Sequence, residues 1–151
     1  MIHLPKKMLY ALEAVVDIAF NARPDPVQSK EITRRQGIPQ RYLEQVMQQL
    51  VHAGILKGVR GPRGGYRLAR ERRRITAGDI VRVISAADEA DGDVQIFSSE
   101  IGQKVVGPLW IEAQNALLKQ LDSVTLEDLC MKADQDCQVD KNQVPPTDFN
   151  I

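Results

Sequence analysis

Between residues 6 and 21, apolar side chains return every three or four positions, at Met8, Ala11, Leu12, Val15, Val16 and Ala19. This period places them on one stripe of an α-helix. The stretch Ala22 to Val27, with Pro24 and Pro26, ends the pattern, since proline lacks the amide proton a helix needs. Ser29 is an N-cap for a short second helix to about Arg35. Gly37-Ile38-Pro39 then forms a tight turn, and Pro39 suits the opening of a third helix. That helix runs to about Ala53, with Tyr42, Val46, Leu50 and Val51 facing inward and Gly54 ending it.

Two helices joined by a short glycine-containing turn match a helix-turn-helix, although helical hairpins are common in all-α proteins. The next segment narrows the choice. Ile55–Val59 and Tyr66–Leu68 read as two short strands around Arg60-Gly61-Pro62-Arg63-Gly64-Gly65. Glycine and proline supply the backbone angles of a hairpin tip, and the arginines make that tip cationic. A nucleotide-binding loop would need Gly-Lys-Ser/Thr at a helix start, or GxGxxG after a buried strand; neither occurs. A narrow basic hairpin fits a DNA minor groove better.

Beyond this wing, Thr76 caps a helix over Ala77–Ser85 with Ile80, Val81 and Ile84 inward. From Val105 a helical pattern resumes, and Val106, Trp110, Ala113, Leu117 and Leu121 form a narrow apolar seam. Such a seam needs a partner, and a second copy related by a two-fold axis is the simplest one. Thr125 starts a last short helix to about Ala133, and the polar remainder contains Pro145-Pro146. The expected fold is mainly α with a small β wing. A winged helix-turn-helix domain spans 1–85, an acidic connector 86–104, the dimerisation helix and short C-terminal helix 105–133, and a disordered tail 134–151.

The 151 residues carry no net charge, but the charges are segregated. Residues 1–85 hold 16 Lys/Arg against 7 Asp/Glu, and residues 86–151 hold 4 against 13. A basic half joined to an acidic half suits a protein with one face on phosphate. No apolar run approaches the roughly 18 residues of a membrane helix. Met1 to Lys7 lacks the apolar region of a secretory signal. The cytoplasm is therefore the expected location, with no membrane partner. No nucleophile–base constellation is present, so no enzymatic activity is expected.

Three pieces of the sequence carry a family resemblance. They are Tyr10-Ala11-Leu12, the block Gln36-Gly37-Ile38-Pro39 through Tyr42-Leu43-Glu44-Gln45, and Val59-Arg60-Gly61-Pro62 through Gly64-Gly65-Tyr66-Arg67-Leu68. Over about residues 4–133 the chain resembles the Rrf-two (Rrf2) family of bacterial regulators, the IscR/NsrR/CymR-like proteins. The resemblance implies a winged helix, a long dimerisation helix and binding of palindromic double-stranded operators, often as a homodimeric repressor. By family position, Arg41 and Glu44 should face base edges in the major groove, and Arg60 should enter the minor groove. Arginine can bind guanine bidentately, and glutamate can accept from cytosine. Lys6, Lys7, Arg63 and Arg67 suit phosphate anchoring, with Gln40 and Gln45 at the same surface. Gly61, Pro62, Gly64, Gly65 and Tyr66 build the wing.

One departure from the family is plain. Many members hold an iron–sulfur cluster through three cysteines ahead of the dimer helix, but Asp88 to Val106 contains no cysteine and no histidine. Cluster iron requires thiolates, or histidine in special cases, so no iron–sulfur cluster and no metal site is expected. Cys130 reads as a small core residue and Cys137 as part of the mobile arm. A thiol switch between them is an alternative input.

The chain closes on Pro145-Pro146-Thr147-Asp148-Phe149-Asn150-Ile151. This ending resembles the tail of serine acetyltransferase, whose terminal isoleucine docks in cysteine synthase. The resemblance makes cysteine synthase a candidate partner, through Asp148, Phe149, Asn150 and Ile151. The CymR-like branch takes its signal from that enzyme, so control of cysteine or sulfur metabolism is implied. An alternative is a regulator that acts mainly through this tail.

Overall fold

The structure is a computed structural model that describes residues 2–22, 25–90 and 97–137. The elements run α1 (Lys6–Asn21), α2 (Ser29–Gln36), α3 (Gln40–His52), β1 (Leu56–Val59), β2 (Gly65–Leu68), α4 (Ala77–Ala90), α5 (Gly107–Asp122) and α6 (Leu126–Asp136). A 3-10 turn at Arg72–Arg74 precedes α4, and a π-helical turn at Gly102–Val106 leads into α5. The mainly α fold with a small antiparallel wing matches the sequence-based expectation.

Helix α1 is the hub, in contact with α2, α3, α4, α6 and β2. Its small residues Ala11 and Ala14 are fully buried beside Val15 and Ile18, so neighbouring helices approach closely. Ile32 of α2, Ile38 of the turn and Ile80 and Ile84 of α4 complete the packing around it.

Several expectations change in detail. The inward face of α3 is Leu43, Val46, Met47 and Leu50. Tyr42 is only half-buried, and Val51 is 37% exposed. The stripe is thus rotated by about one position, with Leu43 and Met47 in the core and Tyr42 at its edge against Tyr10 of α1. Helix α2 begins at Ser29 with Gln28 as its N-cap, whose N–H donates to Glu31 Oε2 at 2.9 Å. Helix α4 continues past Ser85 to Ala90, carried by the helix-favouring Ala86 and Ala87.

Helix α6 returns to the winged-helix core. Leu126 and Cys130 are 0% and 3% exposed within the cluster that contains α1. The return is tied by backbone: Ala77 N–H donates to Val124 O and Leu126 N–H to Ile75 O, both at 2.9 Å. Side by side across this bridge sit two reciprocal capping boxes, Thr76 with Asp79 and Thr125 with Asp128. Each satisfies two amide donors that a helix start leaves free. Asp122, the last residue of α5, forms a two-pronged ion pair with Arg82 of α4. Helix α5 is thus joined to α4 at its C-terminal end.

Candidate nucleic-acid interface

The turn between α2 and α3 depends on Gly37, whose φ of 67° and N–H bond to Thr33 O at 2.9 Å close the second helix. Ile38 plugs the turn into the core. Behind the turn, the buried Asp17 of α1 binds Arg35 and Gln36 of α2. The hydrogen bond with Asp17 raises the Arg35 pKa above its ordinary value, so this cation is permanent.

With its apolar side buried, α3 presents Gln40, Arg41, Glu44, Gln45 and Gln48 to solvent. Gln40 Nε2 donates to Glu44 Oε1 at 3.1 Å, one helical turn away. Arg41 lies over the Tyr42 ring at 5.1 Å, and Tyr42 in turn meets Tyr10 at 5.7 Å between centroids. Tyr42 thus lies between the arginine and Tyr10 of α1, and Arg41 stays exposed. Gln48 was not expected from the sequence. Its place four residues beyond Glu44 on the exposed face was the available signal.

In the wing, Leu56 pairs with Leu68, Lys57 with Arg67, Gly58 with Tyr66 and Val59 with Gly65. Tyr66 also exchanges two backbone hydrogen bonds with Val27, at 2.7 and 2.9 Å, which anchors the wing to the segment ahead of α2. This contact explains Gly65, since a Cβ there would lie 2.4 Å from Val27 O. Gly64 is needed for a similar reason: its Cβ would lie 2.3 Å from Val59 O. Arg60, Gly61, Pro62 and Arg63 are exposed at the tip.

The exposed pair Lys57 and Arg67 sits directly opposite across the two strands. Like charges in that position repel, so the pair favours an external anion. Lys57 was missed as an individual site residue because its neighbour is fixed by strand register, which the sequence leaves open. Lys6 is exposed at the start of α1. Lys7 is different: its Nζ meets Asp88 Oδ1 at 3.0 Å, with only 14% of its side chain exposed. It ties α1 to the end of α4.

Along α5 the seam residues Val106, Trp110 and Leu117 are all more than two-fifths exposed, Ala113 is exposed and Leu121 is half-buried. Ile101, Val105 and Leu109 widen the exposed apolar surface. Ahead of it, Phe97 packs on Gly102 and Gly107. The donor chemistry of the connector does not fit an iron–sulfur cluster: between residues 88 and 106 it offers carboxylates, amides and hydroxyls, and no thiol or imidazole. Cys137 caps the C-terminal end of α6, not a point in the arm, and Cys130 is buried two turns earlier. Asp148, Phe149, Asn150 and Ile151 lie outside the described residues.

A helix-turn-helix with an exposed polar reading face, flanked by a cationic wing, defines a DNA-binding transcriptional regulator. The chain belongs to the Rrf2 family: the family model described as "Iron-dependent Transcriptional regulator" matches residues 4–132. It is 36% identical over 125 residues to the HTH-type transcriptional regulator CymR of Bacillus subtilis, covering 83% of this chain and 87% of that one. Among solved structures it is similar to T. potens IscR, with a TM-score of 0.71 and 36% identity, covering 89% of this chain and 90% of that one. It is also similar to CymR, the global cysteine regulator of B. subtilis, with a TM-score of 0.67, 34% identity and coverage of 87% and 98%. These relatives are transcriptional regulators, and among the described residues no helix is long and apolar enough to cross a membrane.

Proposed function

We propose that the protein is a homodimeric repressor that reads a palindromic operator through Arg41 and Glu44 in the major groove and Arg60 in the minor groove. The exposed face of α3 carries this reading. Leu43, Val46, Met47 and Leu50 point into the core, and Gln40, Arg41, Glu44, Gln45 and Gln48, polar groups able to meet base edges, occupy the other side. Gln40, Gln45, Lys6, Arg63 and Arg67 are assigned to the DNA backbone, joined by Lys57. Lys7 is assigned to the ion pair with Asp88, whose carboxylate lies 3.0 Å from its ammonium.

The test is selection from random-sequence duplexes, followed by titration at several salt concentrations. A two-fold symmetric site should emerge, and Arg60→Ala should relax its A·T-rich positions more than its affinity for other sequences. Recovery of no preferred sequence would overturn the reading. Trp110→Glu and Leu117→Glu should convert a dimer into a monomer by sedimentation, because they place charge in the α5 seam.

The input is proposed to be cluster-free, from the donor set of the connector, and to concern cysteine or sulfur metabolism. Similarity to CymR supports that second step. Cysteine synthase is the proposed partner, through the segment ending Asp148-Phe149-Asn150-Ile151. A pull-down with and without residues 144–151 tests it: capture must depend on those residues. Visible absorbance bands with stoichiometric iron in anaerobically purified protein would overturn the cluster-free assignment.

A further inference from the structure

The basic surface of the wing does not stop at the hairpin. Arg67 lies opposite Lys57 on its outer face and also lines a shallow, open cleft of about 260 Å³ at the wing's base. The last turn of α1 forms the apolar floor of this cleft, and Arg70, Glu71 and Arg72 form its rim. Glu71 is the one acidic group there, and Arg73 Nε holds its carboxylate at 2.6 Å. Among the described residues, Arg67, Arg70 and Arg72 take part in no ion pair.

The rim is rigid. Arg74 N–H closes the 3-10 turn on Glu71 O at 2.8 Å, and the next residue, Ile75, is fully buried and bonded to Leu126. Guanidinium groups held near one another without counter-charges create a positive field that an external anion relieves. The cleft has walls too low to enclose a small molecule, and enclosure is what small ligands need. It is instead continuous with the wing face, as a passing linear polyanion requires.

We propose that Arg67, Arg70 and Arg72 form a phosphate track at the base of the wing that grips duplex DNA flanking the sequence read by α3 and the wing tip. This rests on the reading of the chain as a DNA-binding regulator. Planar guanidiniums match phosphate oxygens bidentately. Contacts of that kind carry no sequence information, so the track adds affinity and lengthens the footprint.

The test uses the full chain and two duplexes with the same selected sequence, one trimmed to its preferred base pairs and one extended by about one helical turn on each side. Wild-type protein should bind the extended duplex more tightly and with a steeper salt dependence. The double variant Arg70→Gln/Arg72→Gln should lose roughly 0.9 of that slope for each phosphate contact removed, while its binding to the trimmed duplex stays unchanged. The charge-conserving double variant Arg70→Lys/Arg72→Lys should keep most of the wild-type slope. A folded Arg70→Gln/Arg72→Gln variant with the wild-type slope on the extended duplex would overturn the track alone. An equal loss on both duplexes would overturn its flanking position. Absence of wild-type binding to either duplex would overturn the DNA-binding reading together with the track.

Discussion

The Asp17 carboxylate receives both prongs of the Arg35 guanidinium, from Nε at 2.8 Å and from Nη2 at 2.7 Å. Gln36 Nε2 adds a third bond at 2.8 Å. Asp17 is the one buried charged residue of the described core, and burial without partners would penalise its charge heavily. The clamp joins α1 to the final turn of α2, directly ahead of Gly37. The orientation of α2, and of the turn that leads into α3, therefore depends on a buried residue of α1.

Replacing Asp17 by Ala should destabilise the fold by about 1–3 kcal/mol, less than for a fully buried pair because Arg35 keeps some access to water. Urea unfolding measures this. Asp17→Leu with Arg35→Met should recover most of the stability, since neither partner is then left unpaired. A double variant as unstable as the sum of both single variants would contradict the clamp.

Gly65→Ala should weaken DNA binding while leaving the helical core folded. Its Cβ would press on Val27 O and break the pair of hydrogen bonds that anchors the wing. Gly58→Ala is the comparison, because its Cβ meets nothing within 4 Å. Equal affinities for the two variants, with unchanged circular dichroism, would rule out the anchoring role of Val27.

How much was legible beforehand follows from what each feature depends on. The helix pattern, the Gly37 turn and the Thr76 and Thr125 caps are local, so spacing and residue type reveal them. The phase of α3 was less so, because Tyr42 and Leu43 are both acceptable at an inward position until α1 is placed above them. The Lys7–Asp88 pair joins residues 81 positions apart, and the Lys57–Arg67 pair needs the strand register. Likewise, α6 reads in the sequence as an appendage to α5, because nothing in its own residues shows that Leu126 and Cys130 bury beside α1.

The junction of α5 and α6 should loosen in acid. Hydrogen bonding to Arg82 holds the Asp122 pKa below its ordinary value, and bonds with Thr125 do the same for Asp128. A lowered carboxylate pKa means that the stabilisation is complete above the unfolded value of about 3.9 and is lost as pH falls through the folded value. Arg82 is shifted the opposite way, upward from an already high value, so it contributes no change in this range. Thermal unfolding from neutral pH downward should show a loss beginning near that carboxylate range. Asp122→Asn and Asp128→Asn should each flatten it, and unchanged acid profiles would contradict the assignment.

Lys7→Met should lower the melting temperature and leave the salt dependence of DNA binding unchanged, because the ammonium is committed to Asp88. Lys6→Met should do the reverse, reducing the slope by roughly 0.9 if one phosphate contact is lost. Fluorescence anisotropy at several salt concentrations separates the two. A slope loss for Lys7→Met at full stability would return Lys7 to the DNA backbone.

Cys130 and Cys137 should not form an intramolecular disulfide in the native protein. Seven positions separate them along α6 and its C-cap, and at ~1.5 Å per residue the rise is roughly 10 Å. Disulfides need Cα atoms within about 7 Å, so the bond would require the last two turns of α6 to unwind. Iodoacetamide should therefore label Cys137 alone under native conditions and both cysteines in denaturant, in keeping with one exposed and one buried thiol. Diamide treatment followed by peptide mass spectrometry closes the question. A Cys130–Cys137 crosslink in protein that still binds DNA with wild-type affinity would show that α6 opens far more easily than its packing implies.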